Sequence, residues 1–327
     1  MRIAVTGSIA IDHLMTFPGR FTDQLLADQL DKVSLSFLVD GMDVRQGGVA
    51  ANIAYGLGVL GQDPVLVGGA GADFDGHRPR LKEHGVDTDA VLVSATRQTA
   101  RFLCLTDQDM NQIAAFYPGA MAEAADIRLG AVAEAAGGLD LVLVSPNDPK
   151  AMTGHTQECR ELGIPFAADP SQQLASLSRE QTRGLVEGAA WLFTNEYEAA
   201  LVRERTGWSE RQVLERVGAW VTTLGAQGVR IARRDTGDEV VPAVPCAAPV
   251  DPTGVGDAFR AGFLAGLAQR LRPGAAARLG CALATTALGS TGPQEYTVTA
   301  RDLSRALASR YGDAAAAEAG AVLERVR

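Results

Sequence analysis

The sequence predicts an α/β protein: a three-layer α/β/α core on a mostly parallel sheet, with a second, small β-sheet attached. Three observations predict it. Short apolar, β-branched runs alternate with helical stretches along most of the chain. Those runs are apolar at successive positions, as strands covered on both faces must be. Two segments, 14–41 and 98–117, interrupt the alternation with strand-like runs where crossover helices are expected. With 327 residues, 46% of them hydrophobic, the chain can bury a large core.

Taken in order, residues 3–6 read as the first strand and 48–60 as the first helix. Strand 65–67 and helix 76–84 follow. Beyond the second interruption come strand 141–144, helix 150–162, strand 165–168, helix 179–187, strand 191–194, helix 196–206 and strand 220–224. Residues 229–232 and 240–244 predict an antiparallel pair around the turn 235–238. From about residue 255 the chain is Ala/Leu-rich and helical. Runs 17–21, 33–39, 99–105 and 112–117 are the expected strands of the small sheet. The expected division is therefore 1–13, 42–97 and 118–327 for the large domain, and 14–41 with 98–117 for the small one.

The bulk properties exclude several function classes. A net charge of −9 and no run of five like charges argue against nucleic-acid binding. No stretch of about 18 apolar residues predicts a membrane helix, and the apolar run at 3–5 is too short for a signal peptide. Cys104, Cys159, Cys246 and Cys281 fit no zinc spacing, so reduced thiols and a cytoplasmic location are expected. Only Lys32, Lys82 and Lys150 are lysines among 30 basic residues, and none follows a P-loop glycine pattern. Any phosphate binding has to use other groups.

The sharpest motif is Asp251-Pro252-Thr253-Gly254-Val255-Gly256-Asp257, running directly into an amphipathic helix. Glycines let a ligand approach the backbone, and the free N–H groups of a helix's first turn meet an anion. Asp257 can cap that helix, or accept a proton from a substrate hydroxyl beside the anion. Amides plus one carboxylate are what phosphoryl transfer to an alcohol requires. A second motif, Gly47-Gly48 leading to Asn52 one turn into a helix, is either a plain packing turn or a site for a polyhydroxyl ligand. A third, Asn195 with Glu198 at a strand end, reads first as a helix cap and second as a ligand or Mg²⁺ contact. Asp12, just past the first strand, is placed to bind hydroxyls. Gly56-x-Gly58-x-x-Gly61 matches a dinucleotide fingerprint, but in the order helix then strand, the reverse of what that fingerprint needs.

Together these motifs resemble the ribokinase-type (PfkB) carbohydrate and nucleoside kinases over nearly the whole chain. Pro252 and Val255 depart from the commonest residues of the C-terminal signature, and neither change removes a backbone amide of the expected anion hole. Longer stretches, such as 32–40, 115–120, 168–174 and 290–295, are similar to actinobacterial adenosine kinases. The resemblance implies a ribokinase-like fold whose small sheet is a lid. It implies ATP-dependent phosphorylation of the 5′-hydroxyl of adenosine, with Asp257 as general base and the amides of Gly254, Val255, Gly256 and Asp257 as anion hole. Ser8, Asp12, Gly48 and Asn52 are implied ribose contacts. Phe102 and Phe116 are implied to sandwich the purine, with Ser36, Gln172 and Gln173 nearby; packing of the small sheet on the core is the other reading of the two rings. Asn195, Thr223, Gly225, Gln227 and Gly228 are implied ATP contacts. Glu198 is implied to organise Mg²⁺ through water, and a monovalent cation (K⁺) is a further family cofactor without a visible site here. The alternatives are a sugar kinase of the same family, acting on ribose or a fructose derivative, and a nucleotide-binding regulator without turnover. A homodimer paired through the lid is expected, because exposed sheet edges must be covered.

Overall fold

The structure, a computed structural model, describes residues 1–24 and 34–327. Its strands in chain order are β1 (Ile3–Thr6), β2 (Ala10–Thr16), β3 (Gly41–Gly47), β4 (Val65–Ala70), β5 (Val91–Val93), β6 (Ala100–Thr106) and β7 (Gln112–Tyr117). They continue with β8 (Leu141–Val144), β9 (Phe166–Ala168), β10 (Trp191–Asn195), β11 (Ala219–Thr223), β12 (Val229–Ala232) and β13 (Glu239–Val241). The helices are α1 (Val49–Val59), α2 (Arg78–Glu83), α3 (Leu129–Ala135), α4 (Pro149–Leu162), α5 (Arg179–Val186), α6 (Glu196–Thr206), α7 (Glu210–Leu214), α8 (Val255–Ala268), α9 (Pro273–Leu288), α10 (Ala300–Tyr311), α11 (Asp313–Glu318) and α12 (Gly320–Leu323).

Among the described residues the strands form two sheets. The larger has nine strands in the order β13-β12-β11-β10-β9-β8-β1-β4-β5. From β5 to β11 the pairing is parallel, and β12 and β13 finish the sheet antiparallel. Strand β1 shows why its run is apolar throughout. Ile3 and Val5 pack with α1, α8 and α9 on one face, while Ala4 packs with α4 and α5 on the other. Chain order reverses at β1, with β4 and β5 on one side and β8 onward on the other. Sheets of this kind open a ligand crevice outside the carboxyl ends of the strands at that reversal.

The smaller sheet has the order β3-β2-β6-β7. Two expected strands are not there. Residues 17–21 form a turn leading into a single 3₁₀ turn at Phe21–Asp23. Residues 34–39 carry no regular structure, and Lys32 and Val33 lie outside the described residues. The alternation there misleads because Phe37 packs on Phe17 and Phe21, an aromatic cluster rather than a strand partner. The strand is instead β3, polar in sequence because it is an exposed edge. β2 likewise begins before residue 14, so the small sheet reaches past the expected segment at both ends.

The Gly56–Gly61 decoy is helix α1 and its end. A Cβ at Gly56 would meet Ala261 and the Tyr296 hydroxyl at 2.6 and 2.7 Å, so these glycines serve helix packing.

Candidate active site

Strand β1 ends at Thr6, and the chain turns through Gly7 and Ser8 across the crevice. The Ser8 amide donates to the Pro146 carbonyl beyond β8 (2.8 Å), which ties the two strand ends together. Ser8 also receives the start of α1. Its Oγ accepts from the Val49 amide at 3.0 Å and its carbonyl accepts from the Ala50 amide at 3.1 Å. Gly48 makes this possible. Its φ is +92°, and a Cβ there would lie 2.6 Å from the backbone at Ser8 and Ala10.

Asp12 and Asn52 descend into the crevice from β2 and α1. Asp12 is nearly buried against Gly47. Burial, followed by repulsion from Asp257 and Asp251, pushes its carboxyl up to about 6, and Arg45 offsets part of that. Asn52 Nδ2 donates to Asp257 Oδ2 at 2.8 Å. Burial also raises the Asp257 carboxyl above the usual range, with the Asn52 hydrogen bond and Arg260 acting against it and Glu198 adding to it. A base with a raised pKa takes a proton more readily.

Asp257 lies in the first turn of α8. Asp251 shapes the loop before it, accepting from the Thr253 amide (2.8 Å) and the Gly292 amide (2.9 Å). Gly254 has φ +75°, and a Cβ there would lie 2.4 Å from Pro293, so only glycine fits. The amides of Gly256 and Asp257 have no acceptor among the described residues, which leaves them free for an anion. One turn further, the Arg260 guanidinium forms a buried pair with Asp169 (2.5 and 2.7 Å) and donates to the Gly256 carbonyl at 3.0 Å. Breaking such a pair from one side would leave a buried charge uncompensated.

Three cavities lie along this line, two of which share lining residues. A mainly apolar one of about 460 Å³ runs from Thr223, Gly225 and Gly228 along Val244, Cys246 and Phe259 to Gly256. The next, about 520 Å³, shares Thr223, Gly225 and Gly256 with it and reaches Asn195, Glu198, Asp257 and Arg260. A third, about 390 Å³, is lined by Ser8, Phe102, Phe116, Met121, Pro146, Gln172 and Gln173. Asn195 and Glu198 form a reciprocal cap on α6 (2.7 and 2.8 Å), and Ser171 Oγ donates to the Glu198 carboxylate at 3.3 Å. Gln173 is held by a bond from its amide to the Asn147 carbonyl (2.8 Å).

Strand register places the small-sheet residues. Arg45, Asp12, Phe102 and Phe116 are successive neighbours across β3, β2, β6 and β7. They form one transverse row on the face toward the crevice. Arg45 ends that row at the Gly-rich loop, 3.3 Å from Asp251. Six expected contacts line none of the three cavities: Asp12, Gly48, Asn52 and Gly254, together with Ser36 and Gln227. Ser36 is exposed in an irregular stretch, and Gln227 points to the surface from the turn whose Gly225, Ala226 and Gly228 line the apolar cavity. Reading the sequence missed Arg45 and Arg260. Arg260 had a signal in its helical spacing from Asp257; Arg45 had none before β3 was located.

Comparison with known proteins follows this geometry. The model of the pfkB family of carbohydrate kinases matches residues 5–300. The nucleoside kinase of Methanothermobacter thermautotrophicus is 32% identical over 240 residues, 72% of this chain and 76% of that protein. The ribokinase of Bacillus subtilis is 27% identical over 296 residues, 89% of this chain and 94% of that protein. The Burkholderia thailandensis nucleoside kinase in complex with inosine superposes with a TM-score of 0.84 at 36% identity, covering 95% of this chain and 98% of that chain. It has also been solved in complex with ADP-inosine. The resemblance carried by the two glycine motifs thus extends over the whole fold, and this chain belongs to the pfkB family of carbohydrate kinases, an ATP-dependent kinase by fold and by motif.

Proposed function

We propose that this protein phosphorylates the 5′-hydroxyl of adenosine with ATP, giving AMP. The observation that carries the reading is the transverse row on the small sheet. Phe102 and Phe116 provide a flat apolar surface that suits a base. Asp12, next in the row, suits ribose hydroxyls. A free sugar has no use for the two rings. Gln172 and Gln173 can each donate and accept, so they suit the edge of a purine. The inosine complex of the Burkholderia thailandensis relative supports a purine nucleoside as the class of substrate.

In this reading the ATP base and ribose occupy the apolar cavity, and the triphosphate extends over Thr223 and Gly225 toward the amides of α8. Asp257 accepts the proton of the 5′-hydroxyl as its oxygen attacks the γ-phosphoryl in line. The free amides of Gly256 and Asp257, with that of Gly254 beside them, stabilise charge on the transferring group, while the Val255 amide donates to the Pro252 carbonyl at 3.3 Å. Mg²⁺ bound with ATP supplies further charge neutralisation. Among the described residues no cluster of three acidic or metal-ligating side chains could hold a metal directly. Glu198, at the cavity wall, is the residue that would organise it through water. A K⁺ requirement belongs to the same reading. Closing of the small sheet as a lid excludes water as a competing acceptor. The face opposite the row exposes Met42, Val44, Leu103, Ile113 and Tyr117. We assign it to a homodimer contact, since an apolar patch of that kind marks an interface; a monomer by light scattering at micromolar concentration would contradict this.

The alternative reading is a sugar kinase, favoured by the likeness to the Bacillus subtilis ribokinase. ADP release measured with adenosine, inosine, ribose and fructose decides between them. Adenosine or inosine should be turned over far faster than either sugar. Preference for a sugar would remove the nucleoside assignment, and absence of release with all four would remove the kinase reading.

A further inference from the structure

Behind Asp257 runs a chain of side chains that starts at Asn52 of the second glycine motif and continues into Gln294 and His77, which neither the glycine motifs nor the ligand cavities include. Asn52 Nδ2 donates to Asp257 Oδ2 at 2.8 Å. Gln294 Nε2 donates to Asn52 Oδ1 at 2.8 Å. His77 Nε2 lies 2.7 Å from Gln294 Oε1. Asn52, Gln294 and His77 are all buried, at 5%, 1% and 2% exposure, so no solvent substitutes for a lost partner. They come from three separate places: α1, the turn after α9, and the turn before α2.

The order of donors follows from chemistry at one end. An ionised carboxylate only accepts, so Asn52 must present its NH₂ to Asp257. Its carbonyl then faces Gln294, which must present its own NH₂. That leaves the Gln294 carbonyl for His77, whose Nε2 must carry a hydrogen. The unprotonated Nδ1 has no partner among the described residues. Every amide orientation in the chain is thus determined. Arg80 of α2 fixes the turn by donating to the Gln294 carbonyl, and the His77 ring packs edge-on against Phe74.

We propose that Gln294 and His77 are positioning residues for phosphoryl transfer. They lock the Asn52 amide in the one orientation that gives Asp257 an N–H donor on Oδ2, leaving Oδ1 to receive the substrate proton. An Asn52 freed from Gln294 can turn its carbonyl toward Asp257, which repels the carboxylate and shifts it off line. Burial keeps His77 neutral, with its pKa lowered to about 4, as a donor in this tautomer requires. The charged groups acting on Asp257 from its other neighbours are Arg260, Glu198, Asp12 and Asp169. None of them bonds to Asn52 or Gln294.

The kinetic consequence rests on the phosphoryl-transfer reading; the tautomer does not. Gln294→Met keeps the length and cannot donate to Asn52, so kcat should fall roughly tenfold while KM for the nucleoside moves less. His77→Phe keeps a ring against Phe74 and removes the donor, with a smaller loss of kcat. His77→Gln returns an N–H and should recover most of it. Melting curves run alongside show whether each variant is folded. In the unmodified protein, ¹⁵N NMR of the histidine ring should show His77 neutral and protonated on Nε2 from about pH 5.5 to 8. Protonation on Nδ1, or a Gln294→Met kcat within about twofold of the parent, overturns the proposal. So does equal loss in His77→Phe and His77→Gln. A wild type that turns over no nucleoside removes the kinase reading and leaves the NMR result to decide the chain.

Discussion

The two ends of the site are built from different materials. At the α8 end the groups are backbone amides, held by a glycine with φ +75° and an Asp251 that bonds the loop in place. At the other end they are side chains on four strands of the small sheet, aligned by register. A backbone site tolerates changes of side chain: Val255 replaces a smaller residue of the family signature without touching an amide. A side-chain site has no such tolerance. The chemistry is therefore expected to reside at the fixed amide end, and substrate choice at the variable sheet end.

The largest effect should come from Asp257→Asn, which removes the base and keeps the shape. We expect kcat to fall about 10² to 10⁴-fold with nucleoside binding largely intact. A kcat within threefold of the parent would remove Asp257 from the mechanism. Next is Gly254→Ala, which drives a Cβ into Pro293 and out of an allowed φ. It should lower kcat by about 10²-fold through displaced amides, at the magnitude known for a lost oxyanion donor. If kcat holds while only stability drops, the backbone anion site is wrong.

At the sheet end, Phe102→Ala and Phe116→Ala should each raise KM for adenosine. Base–aromatic stacking of about 1–3 kcal/mol corresponds to roughly 5- to 150-fold. The kcat for saturating substrate should change less, which is the split between the two ends in kinetic form.

The smallest effect is in pH. In the proposed reading Asp12 binds hydroxyls as a carboxylate, and its pKa, raised to about 6, places its protonation in an accessible range. KM for adenosine should rise as pH falls below about 6, and Asp12→Asn should flatten that limb. The sign for stability is opposite. A carboxyl whose pKa is higher folded than unfolded stabilises the fold at low pH. That contribution is lost as pH rises from its ordinary value, 3.8, to about 6. Asp12→Asn should therefore melt higher than the parent at pH 7.

The same contrast explains what the sequence revealed. The parallel strands of the large sheet other than β5, and helices α1, α2, α4, α5 and α6, were legible because burial on both faces leaves a continuous apolar run or a helical period; β5 is three residues at the sheet edge and went unread. The glycine loop and the start of α8 were legible because Gly254, Gly256 and Asp257 fall within four consecutive residues. The decoy at Gly56–Gly61 was rejected on order of elements alone. The small sheet was legible as present but misplaced. An edge strand such as β3 has no apolar signature, while Phe37, which reads as part of a strand, serves an aromatic cluster. With β3 hidden, Arg45 could not be placed beside Asp12. Nor could any local pattern bring His77 and Gln294 together, since they are 217 positions apart. Asn195 and Glu198 read correctly as a cap, and that geometry also sets them at the cavity wall.

The account depends most on the division between the two ends, and one ratio tests it. It is kcat/KM for adenosine over kcat/KM for ribose, in the parent and in the Phe102→Ala/Phe116→Ala double variant. We predict a ratio well above one in the parent, falling by at least about tenfold in the variant, with the ribose value unchanged. A ratio that stays constant, or a parent that favours ribose, would contradict the assignment of substrate choice to the small sheet.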